Sequence, residues 1–160
     1  GGGCVLSGAF SSAWSDILAA ARGLVTEERD PIANAANLSA LLGASLPEIN
    51  WVVFYFLRGD ELVLGPFQGK PACVRIALGR GVCGTAAVRR STLVVDDVHH
   101  FPGHIACDPA SNAEIVIPLI RENTVYGVLD VDSPRTSRFS PDDRAGLEAI
   151  AHLYLAAPDL

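Results

Sequence analysis

The chain lacks an excess of basic residues, a long apolar run and the paired ligand motifs of small zinc modules. Its 160 residues include 12 Lys and Arg against 18 Asp and Glu, a net charge of −6. That balance disfavours nucleic acid and anionic membranes as partners, because both attract a basic surface. No apolar run approaches the roughly 20 residues of a membrane-spanning helix. Residues 1–4 carry no Lys or Arg, so no secretory signal is predicted and we expect a cytoplasmic protein.

The composition is that of a folded protein. Hydrophobic residues make up 49% of the chain and charged residues 19%, as in globular domains. A chain of this length buries roughly 70% of its extended surface, so a core can form without disulfide staples. Since no internal repeat or linker is visible, we predict one domain over residues 1–160, with residues 1–10 as a poorly ordered N-terminal segment.

Helical spacing of apolar residues predicts two helices ahead of the first strand. The first covers residues 11–25, with a serine at its start as N-cap. The second begins after the cap residue Asp30, and Gly43 is expected to end it. A last helix begins after Ser140, which is followed by a proline and two acids.

Between these helices the pattern is that of strands, with one short helix. A glycine-rich run at residues 79–86 leads into that short helix. The predicted strands cover residues 51–57, 61–67, 73–76, 92–98, 115–120 and 125–131. Because they are expected to pair mostly with sequence neighbours, the fold class is α+β, a central antiparallel sheet with helices packed mainly on one side.

Residues 73–132 concentrate the reactive side chains. This stretch holds three of the four cysteines, three of the four histidines and three carboxylates in strand-like surroundings. They are Cys73, Cys83, Cys107, His99, His100, His104, Glu114, Asp130 and Asp132. A redox site and a metal site are the two chemistries that such a set indicates.

The three cysteines have different expected environments. Cys73 lies within a predicted strand, where a thiol is usually an inert, buried apolar group. Cys83 lies at a helix start, where the helix dipole would lower its pKa and favour the thiolate. Cys107 lies in a loop beside His104 and Asp108, where a thiol would be exposed, so it is the best candidate nucleophile.

Zinc binding is the alternative for the same residues. His104 and Cys107 have ligand-like spacing, and Cys73 and Cys83 could complete a tetrahedral set. Structural zinc sites usually show paired CxxC or HxxxH motifs, which this stretch lacks. We therefore predict no metal, and we interpret His99 and its neighbouring histidine as loop residues.

The carboxylates also allow two interpretations. Strand alternation places Asp130 and Asp132 on one face, opposite Val131, while Glu114 precedes the previous strand. Each could simply be a turn or surface residue. Three acids bordering apolar strands beside a cysteine loop favour instead a concave site for a small cation or an ammonium group.

Several motifs together resemble the free methionine-(R)-sulfoxide reductases, which are single GAF-domain enzymes. They are Trp-Val-Val-Phe-Tyr at 51–55, Gly-Arg-Gly-Val-Cys-Gly-Thr-Ala at 79–86, Val-Asp-Asp-Val at 95–98, His-Ile-Ala-Cys-Asp at 104–108, Ser-Asn-Ala-Glu-Ile-Val-Ile-Pro at 111–118 and Gly-Val-Leu-Asp-Val-Asp-Ser-Pro at 127–134. The resemblance covers the chain from about residue 10 onward. It implies a GAF fold, which agrees with the predicted order of elements.

The resemblance also implies a mechanism. Cys107 would attack the sulfoxide sulfur and become a sulfenic acid, and Cys73, or otherwise Cys83, would condense with it to a disulfide. Thioredoxin would reduce that disulfide, with no metal or organic cofactor. The residues implied in binding free L-methionine-(R)-sulfoxide are Trp51, Tyr55, Glu114, Asp130 and Asp132.

Two further expectations accompany this interpretation. The family and the paired N-terminal helices suggest a homodimer. The functional alternative is a GAF ligand-binding or thiol redox-sensor module that does not catalyse turnover. Cys4 has no counterpart in the motifs.

Overall fold

The elements follow one another in the predicted order. The structure, a computed structural model, describes residues 10–105 and 107–157, so Cys4 and most of the predicted N-terminal segment lie outside it. The helices are α1 (Ser12–Val25), α2 (Pro31–Ser45), α3 (Gly81–Arg89) and α4 (Pro141–Ala156), with a 3₁₀ turn at Val98–His100. The strands are β1 (Trp51–Arg58), β2 (Glu61–Gln68), β3 (Arg75–Ala77), β4 (Leu93–Val95), β5 (Ala113–Arg121) and β6 (Thr124–Ser133).

The predicted helix starts are confirmed by their caps. The Ser11 hydroxyl accepts a hydrogen bond from the Trp14 N–H at the start of α1. The Asp30 carboxylate accepts from the first free N–H groups of α2. Ser140 and Asp143 form a capping box at the start of α4. These polar side chains satisfy donors that have no partner within the helix.

The predicted end of α2 at Gly43 is wrong, because the helix continues to Ser45. Its last bond runs from the Leu46 N–H to the Leu42 carbonyl. Gly43 lies instead where α2 packs on β2, since a Cβ there would lie 3.4 Å from the Gln68 Cβ. A side chain at that distance would be in ordinary van der Waals contact, so Gly43 is an interior residue of α2 and does not end the helix.

The six strands form one antiparallel sheet in the order β3-β2-β1-β6-β5-β4. The hairpins β1–β2 and β5–β6 join neighbours in sequence, and the pairing of β1 with β6 connects them at the centre. The predicted antiparallel sheet is confirmed. No described helix is long and apolar enough to cross a bilayer.

The two faces of the sheet carry different cores. Helices α1, α2 and α4 cover one face, where they bury Val52, Phe54, Ile115 and other residues at alternate strand positions. The short helix α3 and the segment that carries Cys107 cover the other face. The prediction of helices mainly on one side is thus confirmed. The other face, which one short helix and a loop segment cover, carries the candidate site.

Cys73 does not lie in a strand, contrary to the prediction. Strand β3 begins two residues later, at Arg75. The Cys73 carbonyl accepts a hydrogen bond of 2.8 Å from the Tyr55 hydroxyl, and its sulfur is bonded to another cysteine. These two attachments hold Cys73 in a loop above the sheet. The predicted strand at 92–98 is also too long, because β4 ends at Val95 and Asp97 caps the 3₁₀ turn.

Helix packing around Gly146 generates a stability prediction. A Cβ on Gly146 in α4 would lie 2.2 Å from the Trp14 ring of α1, so Gly146→Ala forces these helices apart. We expect it to lower the free energy of unfolding by about 1–3 kcal/mol. Urea unfolding followed by circular dichroism measures the change.

The matched control is Gly23→Ala in α1, where a Cβ meets nothing within 4 Å. Alanine is about 1 kcal/mol more favourable than glycine within a helix. Gly23→Ala should therefore be neutral or stabilising, and equal effects at the two positions would contradict the packing argument.

Candidate active site

The candidate site is a pocket between the sheet and the segment that carries Cys107. Residues of three neighbouring strands form the floor of the pocket. Glu114 of β5 pairs with Asp132 of β6, and Asp132 also pairs with Trp51 of β1. Since side chains alternate along a strand, these residues share one face. The pocket is lined by Trp51, Tyr55, Ile76, Arg80, Gly81, Val82, Cys83, His104, Ile105, Cys107, Asp108, Ser111, Glu114, Asp130 and Asp132. Every residue predicted for the site lines it except Cys73, which is bonded to Cys107.

The three acids are buried strand residues. Glu114, Asp130 and Asp132 are 7%, 1% and 4% exposed. Glu114 and Asp132 lie inside β5 and β6, so the alternative in which these acids are turn or surface residues is wrong. Burial raises the pKa of all three carboxyl groups, and repulsion from Asp132 and Glu114 raises the pKa of Asp130 further. The group therefore holds its protons to higher pH than solvent-exposed carboxyl groups do.

Three polar atoms in the pocket have no hydrogen-bond partner among the described residues. They are the Trp51 indole N–H, Asp130 Oδ1 and Asp132 Oδ1. Buried polar atoms of native proteins are normally paired, so such a group indicates a ligand. One donor and two acidic acceptors fit a ligand that carries both a positive charge and an acceptor oxygen.

A hydrogen-bonded chain connects the acids to the residue after the cysteine. The Asn50 side-chain amide donates to Asp108 Oδ2 at 2.9 Å and to Ser111 Oγ at 3.0 Å. Ser111 Oγ donates in turn to Asp132 Oδ2 at 2.8 Å, which opposes the rise in the pKa of Asp132. Asn50 and Ser111 were missed as site residues, because contacts across about 60 residues of sequence leave no local pattern.

The cysteines divide into a bonded pair and a buried thiol. Cys73 and Cys107 form a disulfide with their Cα atoms 5.5 Å apart. Cys83 is a free thiol, and its Sγ lies 3.8 Å from Glu114 Oε2. The expectation that the start of α3 would lower the pKa of Cys83 is wrong. Burial raises this pKa well above its usual value, and the nearby Asp130 and Glu114 raise it further.

The histidines do not join the cysteines in a metal site. His99 is an exposed residue whose Nδ1 lies 2.8 Å from Asp97 Oδ1, and His100 is exposed beside it. His104 lines the pocket, and burial lowers its pKa. With Cys73 and Cys107 bonded to each other, the tetrahedral set considered from sequence is not assembled in this structure.

The pocket of this disulfide form is small. Its enclosed space is ≈ 20 Å³, room for about one water molecule. Ile105 lines it and packs against Gly81, since a Cβ on Gly81 would lie 3.2 Å from the Ile105 side chain. Gly81 also has φ +62°, a conformation that favours glycine at the start of α3.

Comparison with known proteins relates this pocket to one family. The GAF domain family matches residues 15–157. The free methionine-R-sulfoxide reductase of Escherichia coli strain K12 is 55% identical over 127 residues, which cover 79% of this chain and 77% of that protein.

Two solved structures with substrate are also similar. The complex of fRMsr of Staphylococcus aureus with substrate has a TM-score of 0.87 at 48% identity and covers 91% of this chain and 95% of that chain. The free methionine-R-sulfoxide reductase from Neisseria meningitidis, in complex with its substrate, has a TM-score of 0.88 at 41% identity and covers 92% of each chain.

The raised pKa of Asp130 generates a prediction about stability and pH. A carboxyl group with a raised folded-state pKa binds a proton that the unfolded chain has lost, so stability falls as pH rises through that pKa. We expect Asp130→Asn to raise the free energy of unfolding at pH 8 by about 1–3 kcal/mol. The gain should shrink near pH 4, where the unfolded chain also protonates its aspartates.

Urea unfolding of the disulfide form at both pH values measures this difference. The exposed Asp16 of α1 provides the control substitution, Asp16→Asn. An Asp130→Asn gain that is the same at both pH values would contradict a buried, protonated carboxyl group.

Proposed function

The chain belongs to the free methionine-(R)-sulfoxide reductases, a family of GAF-domain enzymes, and from this membership we propose that it reduces free L-methionine-(R)-sulfoxide to L-methionine. The observation that carries the proposal is the Cys73–Cys107 disulfide at a pocket whose unpartnered atoms are two carboxylate oxygens and an indole N–H. A disulfide there is the expected product of one reductive turnover.

The acids suit a substrate that carries an ammonium group and a sulfoxide. Ionising all three buried carboxyl groups together is costly, because burial raises all three pKa values and neighbouring charge raises those of Asp130 and Asp132 further. An ionised member of the group would pair with the ammonium. A protonated member would donate to the sulfoxide oxygen, which leaves poorly without a proton. The aromatic faces of Trp51 and Tyr55 would hold the methyl end by apolar contact.

The cysteine chemistry follows in three balanced steps. The Cys107 thiolate forms a bond to the sulfoxide sulfur, and the oxygen takes up a proton. The hydroxyl group then passes from that sulfur to the Cys107 sulfur as the S–S bond breaks, which releases methionine and leaves Cys107 as a sulfenic acid. The Cys73 thiol then displaces water from that sulfenic acid and forms the disulfide. Two electrons from a thioredoxin dithiol finally return both cysteines to thiols. No metal or organic cofactor takes part in these steps.

Cys73 is the better candidate than Cys83 for the resolving cysteine. Cys73 is bonded to Cys107, and the Tyr55 hydroxyl holds its carbonyl. The Cys83 thiol is buried beside Glu114, where its raised pKa disfavours the thiolate that the exchange requires. Cys83 is therefore a buried neighbour of the acids and not the resolving cysteine.

The cysteine assignment is tested with single substitutions. Reduced protein receives one equivalent of free L-methionine-(R)-sulfoxide, and the methionine formed and the mass of the protein are measured. The unsubstituted protein should release one methionine and lose two hydrogens between Cys73 and Cys107. Cys107→Ser should form no methionine. Cys73→Ser should form one equivalent but fail to recycle with thioredoxin and NADPH-dependent thioredoxin reductase.

Cys83→Ser is the matched comparison, and it should still form the Cys73–Cys107 disulfide and recycle. If Cys83→Ser loses recycling and Cys73→Ser keeps it, then Cys83 and not Cys73 is the resolving cysteine. Binding of the sulfoxide without any methionine formation would instead indicate the alternative, a GAF ligand-binding or redox-sensor module.

The acid role predicts opposite effects of one substitution on activity and stability. Asp130→Asn removes a carboxyl group from the proposed acid set and should lower kcat/KM by about 10²–10⁴-fold, the usual contribution of general acid catalysis. In the unsubstituted protein kcat/KM should fall as pH rises through the raised pKa values, because the proton is lost. The assay is methionine formation with dithiothreitol as reductant at a series of pH values. Full activity of Asp130→Asn would contradict the role of this acid.

A further inference from the structure

Cys83 is a buried nucleophilic group that the proposed reaction leaves unused. It is 5% exposed and lies at the third position of α3, with its thiol directed at the acids of the sheet. Burial alone would make it an inert apolar residue. Its neighbours are carboxyl groups, however, and a thiol among carboxylates is a set of metal ligands.

The distances within this set fit a small divalent cation. Cys83 Sγ, a Glu114 carboxylate oxygen and an Asp130 carboxylate oxygen all lie within 4.8 Å of one another. Bonds of roughly 2.0–2.3 Å in tetrahedral geometry place zinc ligands about 3.3–3.8 Å apart. The 3.8 Å between Cys83 Sγ and Glu114 Oε2 is already at that spacing. Asp130 would supply the third ligand of a tetrahedral site.

An independent observation indicates that something binds there. Asp130 Oδ1 is buried and has no hydrogen-bond partner among the described residues, although Asp130 is only 1% exposed. The adjoining space of ≈ 20 Å³ is lined by the same three residues, and it accommodates one atom of water size. An open zinc site has this form, with three protein ligands and a water molecule in the fourth position.

We propose that Cys83, Glu114 and Asp130 form a site for one divalent cation of borderline softness, represented here by Zn²⁺, that inhibits the enzyme. One sulfur with two carboxylate oxygens favours zinc over magnesium or calcium, which take oxygen ligands. On binding, the thiol proton and any proton on the Glu114 and Asp130 carboxyl groups pass to solvent as the Zn–S and Zn–O bonds form. The cation is an inhibitor and not a cofactor, because it occupies the carboxylates that the substrate ammonium requires. This inhibition rests on the proposed function, whereas the binding does not.

The binding test uses the disulfide form, in which Cys73 and Cys107 cannot bind metal. A Cys4→Ser background leaves Cys83 as the remaining thiol of the chain's four cysteines. Metal-free protein is titrated with Zn²⁺ against a chromophoric chelator, and with Cd²⁺ to record thiolate–metal absorption in the ultraviolet. We expect one equivalent bound, with the Cd²⁺ absorption present.

Substitutions decide whether the bound metal is at this site. Cys83→Ser and Glu114→Gln should each weaken Zn²⁺ binding by more than the roughly 10–100-fold that loss of an outer-shell partner costs. Cys83→Ser should also abolish the Cd²⁺ absorption. The control is His99→Ala, which removes a surface histidine beside Asp97 and should change neither measurement. Absence of stoichiometric binding, or equal affinity in Cys83→Ser, overturns the proposal, provided that circular dichroism shows the variants folded.

The inhibition test measures methionine formed in a single turnover by reduced protein from which free thiol reductant has been removed. Zn²⁺ should slow the turnover, added substrate should relieve the effect, and Cys83→Ser should require at least tenfold more Zn²⁺. If Zn²⁺ inhibits Cys83→Ser as strongly as the unsubstituted protein, the inhibition is due to Zn²⁺ bound by Cys73 and Cys107. That result would overturn this part of the proposal. Failure of turnover without any Zn²⁺ would contradict the proposed function and leave the binding result intact.

Discussion

The burial of three carboxyl groups on one face of the sheet is the constraint on which the site depends. Strand register places Glu114 opposite Asp132, with Asp130 two residues along the same strand. A buried carboxylate is costly unless it is paired or protonated. Raised carboxyl pKa values and the Ser111 hydroxyl offset part of this cost, while Asp130 Oδ1 and Asp132 Oδ1 are left without a partner among the described residues. The same arrangement that reduces stability provides both a proton and a negative charge.

The cysteines are organised around these acids by contacts between distant parts of the chain. Asn50 connects Asp108, the residue after Cys107, to Ser111 and so to Asp132. The Tyr55 hydroxyl holds the loop of Cys73 from the opposite side. Cys107, the proposed nucleophile, and its bonded partner Cys73 are thus attached to the strands that carry the acids. The pocket between them is small in the disulfide form.

Patterns among neighbouring residues predicted most of the fold, but they predicted the environments of the site residues less well. Caps and apolar spacing located the helices, and alternation placed Asp130 and Asp132 on one face, because these signals depend on near neighbours. Gly43 and Cys83 were misjudged for the opposite reason. Gly43 lies within α2 where the helix contacts Gln68 of β2. The environment of the Cys83 thiol is set by carboxyl groups such as Glu114, which is 31 residues away in sequence. Neither influence has a local pattern.

The sequence by itself determined the family and the order of elements, and it supplied the candidate site residues. The motifs at residues 79–86 and 127–134 show this, because each is a continuous run of residues that can be recognised without knowledge of the rest of the fold. Only the tertiary structure decided which cysteine bonds to Cys107, and whether the thiol of Cys83 is activated or suppressed. The reason is physical: pKa values and disulfide pairing depend on burial and distance, which exist only when the distant segments have packed together.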